Sequence, residues 1–355
     1  MSSSPSPAAP FSTSRSLYLA LFITGVLWLL AANAVALRAA DGIATRLKWG
    51  AGQNLLADLF LLFLLLVGFT TLNWIATRQG SVSFANALPQ RPTAAEEWSR
   101  GALIGWAALL VAILPMMLFG SLHPQFSWSP SAFAAIILSL VSLAIAALVA
   151  EIAFRGFLFR CLIGAIGPTA AALLLSGIYA LLVSLRPNAT GLSFFVAFIA
   201  GLLFSMAYLR THALWLGWGL HFAWAAATAV LFGLPVGGIA NYGSIIQTSA
   251  SGPVWFTGGA YGPEAAFFTG IVLIIAMPVV YRATRDYAWN YTQPVIISAG
   301  YPMDVPPPAA HTAMEQAAAA KSAPLVQIAP APDSNGATRS PDPADAAPSE
   351  PAHHS

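Results

Sequence analysis

Residues 139–163 read SLVSLAIAALVAEIAFRGFLFRCLI, an apolar run interrupted only by Glu151, Arg155 and Arg160. Glu151 is the one carboxylate between Glu97 and Glu264. An acidic side chain at a helix centre in lipid costs about 2.5 to 3.5 kcal/mol on insertion scales, so it needs a partner or a purpose. Arg155, four residues on and hence on the same helical face, is the expected partner, and an ion pair tying one helix end to its neighbours is the plain structural reading.

Working outward, the class follows from composition. The chain is 57% hydrophobic and 8% charged, with repeated apolar stretches near the ~20 residues a bilayer core requires. These predict an all-α fold, a polytopic membrane helix bundle of about eight spans at 17–37, 55–75, 101–120, 132–150, 168–185, 192–209, 213–233 and 265–281. The partner implied is the bilayer itself. A net charge of +2 with scattered basic residues gives no footprint for nucleic acid. Cys161 is the only cysteine, which excludes an internal disulfide and a thiolate metal cluster.

The expected organisation is a disordered N-terminus (1–15), two N-terminal helices and their loop (16–94), a main helical domain (95–285) and a Pro/Ala-rich tail (286–355). Eleven of the 26 prolines fall in the last 55 residues, so the tail reads as largely disordered. Ala32-Asn33-Ala34-Val35-Ala36 could serve as a signal-peptide cleavage site, although an uncleaved anchor is the preferred reading. Arg15, Arg78, Arg91, Arg100, Arg155, Arg160, Arg210, Arg282, Arg285, Lys321 and Arg339 fall on one side, against Arg38, Arg46, Lys48 and Arg186 on the other. The positive-inside rule then predicts a multi-pass cell-membrane protein with both termini in the cytoplasm.

Gly101 and Gly105 form a small-xxx-small pair suited to close helix packing. Glu96 and Glu97 precede a span and read as a solvated face. The loop 234–263 carries no charge and seven glycines, which predicts a cap or a partly re-entrant lid over the bundle. Asn188-Ala189-Thr190 fits a glycosylation sequon.

Several chemistries are disfavoured. Paired-carboxylate catalysis needs two acids, and only one lies between Trp98 and Pro263. Ser176 lacks a convincing base. Catalytic zinc takes three protein ligands, whereas only Glu151, His221 and His212 are on offer and no HExxH occurs, so zinc is weakly supported and no cofactor or metal is expected.

The stretch Ala150-Glu151-Ile152-Ala153-Phe154-Arg155-Gly156 resembles the EExxxRG motif of the CAAX prenyl protease and bacteriocin-processing (CPBP) family of intramembrane peptidases. Residues 176–190 resemble its FxxxH motif and the loop after it. Tyr208 to Ala225, through Arg210-Thr211, Leu214-Trp215 and His221, resembles its HxxxN helix and lead-in. Phe232 to Glu264 is similar to the following loop in one bacterial branch. The resemblance covers about 95–285 and implies an endopeptidase-type fold that recognises membrane or prenylated peptides. It assigns the activating Glu, the second-motif His and the third-motif Asn to Ala150, Val183 and Ala225. Glu151, Arg155 and His221 are the retained catalytic-set positions. Since one helical step turns a side chain by about 100°, Glu151 should not point where a carboxylate at 150 would.

The expectation is therefore a non-hydrolytic pseudoprotease. A peptidase working through Glu151 and His221 is the alternative, and a small-solute carrier a weaker one. A hydrogen-bonded core histidine is an equally good reading of His221.

Overall fold

A computed structural model describes residues 15–78, 88–126, 130–287 and 316–317. The expectations for the first 14 residues and for the tail beyond 287, apart from Gln316 and Ala317, lie outside the described residues. The chain divides into Met1–Pro294 and Val295–Ser355, and everything below concerns the first unit.

The first unit is a helical membrane bundle. Its helices are α1 (Arg15–Leu47), α2 (Gln53–Arg78), α3 (Ala94–Leu118), α4 (Pro130–Arg155), α5 (Phe157–Ile166), α6 (Pro168–Val183), α7 (Gly191–Thr211), α8 (Trp215–Ala226), α9 (Val254–Thr257) and α10 (Phe267–Ala283). Each of the eight expected segments is largely helical in the structure. Five helical stretches among the described residues are long and apolar enough to cross a membrane: Arg15–Leu47, Gly50–Ala76, Ala94–Leu118, Ala132–Ile166 and Gly191–Thr211. The expected spans at 168–185 and 265–281 are shorter, at 16 and 17 residues. The span at 213–233 contains α8 and a five-residue π-helical turn, Ala227–Leu231. Leu27, Phe63, Leu103, Phe195 and Ile275 are all more than half exposed, as side chains facing lipid would be.

Local chemistry sets the helix ends. Gly167, at φ 86°, turns the chain so that Pro168 can open α6, where its missing N–H costs nothing. Thr190 and Ser193 form a capping box at the start of α7, so the sequon threonine has a structural use. Pro115 and Pro278 lie inside α3 and α10, as intramembrane helices tolerate.

Glu97 corrects the sequence reading. Glu96 is exposed and pairs with Arg100, but Glu97 is fully buried, paired with Arg91 and accepting from Thr93 Oγ1 at 2.8 Å. Arg91 also donates to Thr211 O at 3.0 Å, tying the segment before α3 to the end of α7. Its partners come from the loop before the helix, which helical spacing does not reveal.

The loop 234–263 is ordered by pairing. Strand β1 (Leu122–Phe126), just after α3, pairs antiparallel with β2 (Ile246–Ala250), from Leu122 opposite Ala250 to Phe126 opposite Ile246. Ser251 N–H donates to Ser121 O at 2.8 Å, and His123 Nε2 lies 2.9 Å from Ser251 Oγ. The far end of the loop makes a tight turn, with Val236 and Ile239 exchanging backbone hydrogen bonds of 2.9 and 3.1 Å. Both central glycines have positive φ, 55° at Gly237 and 81° at Gly238, as a type I′ turn demands.

Candidate functional site

The retained polar residues meet between α4, α7 and α8. Helix α8 is set against α3 by glycine. A Cβ at Gly101 would lie 2.1 Å from Leu216 O, one at Gly105 2.2 Å from Leu220 O, and one at Gly219 2.0 Å from Trp98 O. Backbone therefore touches backbone along this seam, which is what the small-xxx-small spacing predicts. On its other side, Trp218 Nε1–H donates to Ala144 O at 2.9 Å and ties α8 to α4.

This placement brings His221 to Glu151, with Nδ1 3.2 Å from Oε1. A carboxylate can only accept, so the Nδ1–H donates to an ionised Glu151 and Nε2 stays outside the pair. The imidazole stacks on Phe204 at 5.0 Å between centroids. Glu151 is 1% exposed, and the His221 side chain 22%. The other Glu151 oxygen, Oε2, packs against Gly217, where a Cβ would come within 3.0 Å.

Arg155 completes the group. Its Nη1 is 3.7 Å from Glu151 Oε1, an ion pair rather than a close hydrogen bond, and Nη2 donates to Gly201 O at 3.3 Å. The guanidinium lies 5.1 Å from the ring centroids of both Tyr179 and Phe204, so aromatic faces share its charge. The expected ion pair is thus present, and His221 joins it.

The three positions assigned to the family's missing groups hold apolar side chains in different surroundings. Val183 packs with Ala180, Ala197, Tyr261 and Ala265. Ala225 packs with Ile136, Leu143, Ala229 and Val230. Ala150 is part-buried, one residue before Glu151. His212 is elsewhere: it ends α7 in a left-handed conformation and stacks on Tyr208. Among the described residues, no three His, Cys, Asp or Glu side chains come together as metal ligands. Ser176 is fully buried and its hydroxyl has no partner.

Residues 132–227, from α4 through α8, match the family model "Rce1-like", described as Type II CAAX prenyl endopeptidase Rce1-like. This segment is similar to the type II CAAX prenyl endopeptidases. The match spans the Glu151, Arg155 and His221 positions as well as Val183 and Ala225, and ends before the loop. No curated protein and no solved structure matches the chain. The protein is thus a CAAX-protease-like, multi-pass membrane protein.

Sequence reasoning missed a second carboxylate. Glu264, just beyond the Trp98–Pro263 window in which acids were counted, lies deep in the protein within electrostatic reach of His221 and Arg186. Gly237 of the loop and Trp224 of α8 lie near its carboxyl. One signal could have found it: Glu264 is the sole acidic residue between Glu151 and Asp286, placed at the mouth of an apolar helix.

Proposed function

We propose that this protein holds a membrane-borne or prenylated peptide beside the part-exposed His221 and does not cleave it by the family's route, making it an intramembrane pseudoprotease. One observation carries this reading: the single carboxylate touching the imidazole is already committed. Glu151 is sealed from solvent by His221, Arg155 and Gly217, so it is not free to activate a water. Ala150, Val183 and Ala225 offer no polar group in its place. Losing a general base typically removes a factor of roughly 10² to 10⁴ and an oxyanion donor roughly 10² to 10³, so little hydrolysis survives by that route. A second reading, a peptidase working through Glu151 and His221, is favoured by the part-exposed imidazole, whose Nε2 is not consumed by Glu151.

The purified protein should bind prenylated and membrane-embedded peptides saturably, while mass spectrometry finds no new termini. Products that disappear in Glu151→Gln would establish the peptidase instead. Absence of binding to either peptide class would refute the holding role.

The protein is proposed to sit in the cell membrane with eight spans and both termini in the cytoplasm, as the loop charges indicate. Reporters fused after Arg100 and after Tyr301 should both give a cytoplasmic signal. An external signal from either overturns this topology.

A further inference from the structure

Helices α3 and α10 pack side by side but leave a groove open between them, and every side chain that lines it is apolar. Leu103 and Val111 on α3 and Ile275 and Val279 on α10 stand exposed along its sides, while the short side chains of Ala107 and Ala276 leave the space between. Its volume is about 250 Å³. From Leu103 to Val111 the groove runs about 12 Å, at 1.5 Å per residue. Half of a ~30 Å hydrocarbon core is about 15 Å, so a groove of this length fits within one leaflet. A helix about 10 Å across would fill roughly 900 Å³ over the same length, so a helical partner cannot enter. A single hydrocarbon chain can, and in lipid an unfilled groove would forfeit the dispersion contacts of its lining.

One end of the groove is cationic. Arg100 lies one turn before Leu103, and its Nη1 donates across to Ala283 O at 3.3 Å, joining the start of α3 to the end of α10. Arg210, from the end of α7, donates through Nε to Thr284 Oγ1 at 3.2 Å and through Nη2 to Tyr281 O at 3.3 Å. Arg282, one turn beyond Val279, and Arg285 are exposed and have no hydrogen-bond or ion-pair partner among the described residues. Of the acids in these segments, Glu97 is taken by Arg91, Glu96 pairs with Arg100, and Asp286 is exposed. The four arginines thus outnumber Glu96 and Asp286, and the partial negative charge at the end of α10, about half a unit, does not cancel the surplus. Along the groove itself there is no charge: α3 has none after Arg100, and α10 none before Arg282.

We propose that this groove is a site for an anionic phospholipid: one acyl chain lies between α3 and α10, and the phosphate is held at the cationic end by Arg282 and Arg100, with Arg210 and Arg285 adding to the field. A slot that is apolar along its length and cationic at one end matches such a lipid in shape and in charge. A soluble anion would leave the slot empty, and a neutral lipid would leave the surplus charge unmatched. Arg100 is committed to Glu96 and Ala283 O and supplies charge from a fixed place, whereas the guanidinium of Arg282 has its donors free for phosphate oxygens, the geometry in which arginine binds most strongly.

A lipid seated this way touches both helices at once and so strengthens their contact, which makes the protein's stability depend on the lipid around it. On the topology proposed above, the cationic end faces the cytoplasm and the lipid belongs to the inner leaflet. The site itself depends neither on that orientation nor on the peptide-holding role.

The test titrates the full-length protein in neutral detergent with phosphatidylglycerol or phosphatidylcholine, following retained lipid by native mass spectrometry and stability by thermal melting. Phosphatidylglycerol should bind saturably and raise the melting temperature, and phosphatidylcholine should do neither. Arg282→Gln combined with Arg285→Gln should weaken phosphatidylglycerol by about 30-fold, the joint effect of two basic residues beside an anionic headgroup. Added salt should weaken it in the parent more than in that variant. Ala107→Trp, at an exposed position, fills the groove and should abolish retention, whereas Leu27→Trp, on the exposed side of α1, should leave it unchanged. Equal retention of the two lipids, or parental affinity in the double arginine variant, overturns the proposal. So does undiminished binding in folded Ala107→Trp, which puts the chain elsewhere, and so does inorganic phosphate alone matching the shift given by phosphatidylglycerol, which leaves an ion site without a chain. The two arginines are exposed and have no partner to lose among the described residues, so their variant stays decisive even where Ala107→Trp lowers stability.

Discussion

Glu151→Gln lowers the protein's stability in detergent by about 3 to 5 kcal/mol, the usual penalty for breaking a buried ion pair from one side. The amide is nearly the same size as the carboxylate, so packing against Gly217 survives and the loss is electrostatic. Arg155, 1% exposed, keeps its charge with only Gly201 O and the faces of Tyr179, Phe204 and Phe154 to meet it. Nη1 already lacks a close hydrogen bond, so no second acceptor is waiting. Glu96→Gln is the matched control: its partner Arg100 is 40% exposed, and an exposed pair is worth at most about 1 kcal/mol. Thermal melting of both variants decides the matter, and equal, small shifts would show that the Glu151 group is not held as described.

Gly105→Val is the second large effect, expected to cost about 3 kcal/mol or more, at or beyond the top of the usual range for overpacking. The added Cβ would sit 2.2 Å from Leu220 O, and a main-chain carbonyl inside a helix cannot swing aside as a side chain can. Relief requires α3 and α8 to separate, which would carry His221 away from Glu151. Gly42→Val, where a Cβ meets nothing within 4 Å, provides the comparison. Loss of monodisperse protein or a sharply lower melting point for Gly105→Val alone is the expected outcome. An unchanged melting point would mean that the seam is not closed in the membrane protein.

These two sites also show what a sequence exposes. Glu151 with Arg155, and Gly101 with Gly105, are four-residue relations on single helices, and helical geometry makes such neighbours readable. The Glu151–His221 contact joins residues 70 apart, and only the motif resemblance pointed to it. Glu97 was misread because its partner Arg91 lies in a turn before the helix, outside any periodic pattern. The strand pairing of 122–126 with 246–250 was invisible for a related reason: each strand is five residues long, and neither carries a signal for the other across the intervening chain. Glu264 was hidden by counting acids along the chain, whereas the loop folds back and delivers it beside α8. The outline of the membrane bundle was legible from apolar runs, but three of the eight expected spans are too short to be classed as crossings by length alone.

The glycine seam also decides which parts can act as machinery. Three main-chain contacts leave α3 and α8 no slack, so they behave as a single beam, with Trp98 wedged against Trp218 and Phe222 at its foot. A beam transmits tilt along its length but cannot be prised open. A peptide held beside His221 as proposed would therefore be admitted by yielding of α4 or α7, the neighbours held to this site by side chains, on the face away from α3.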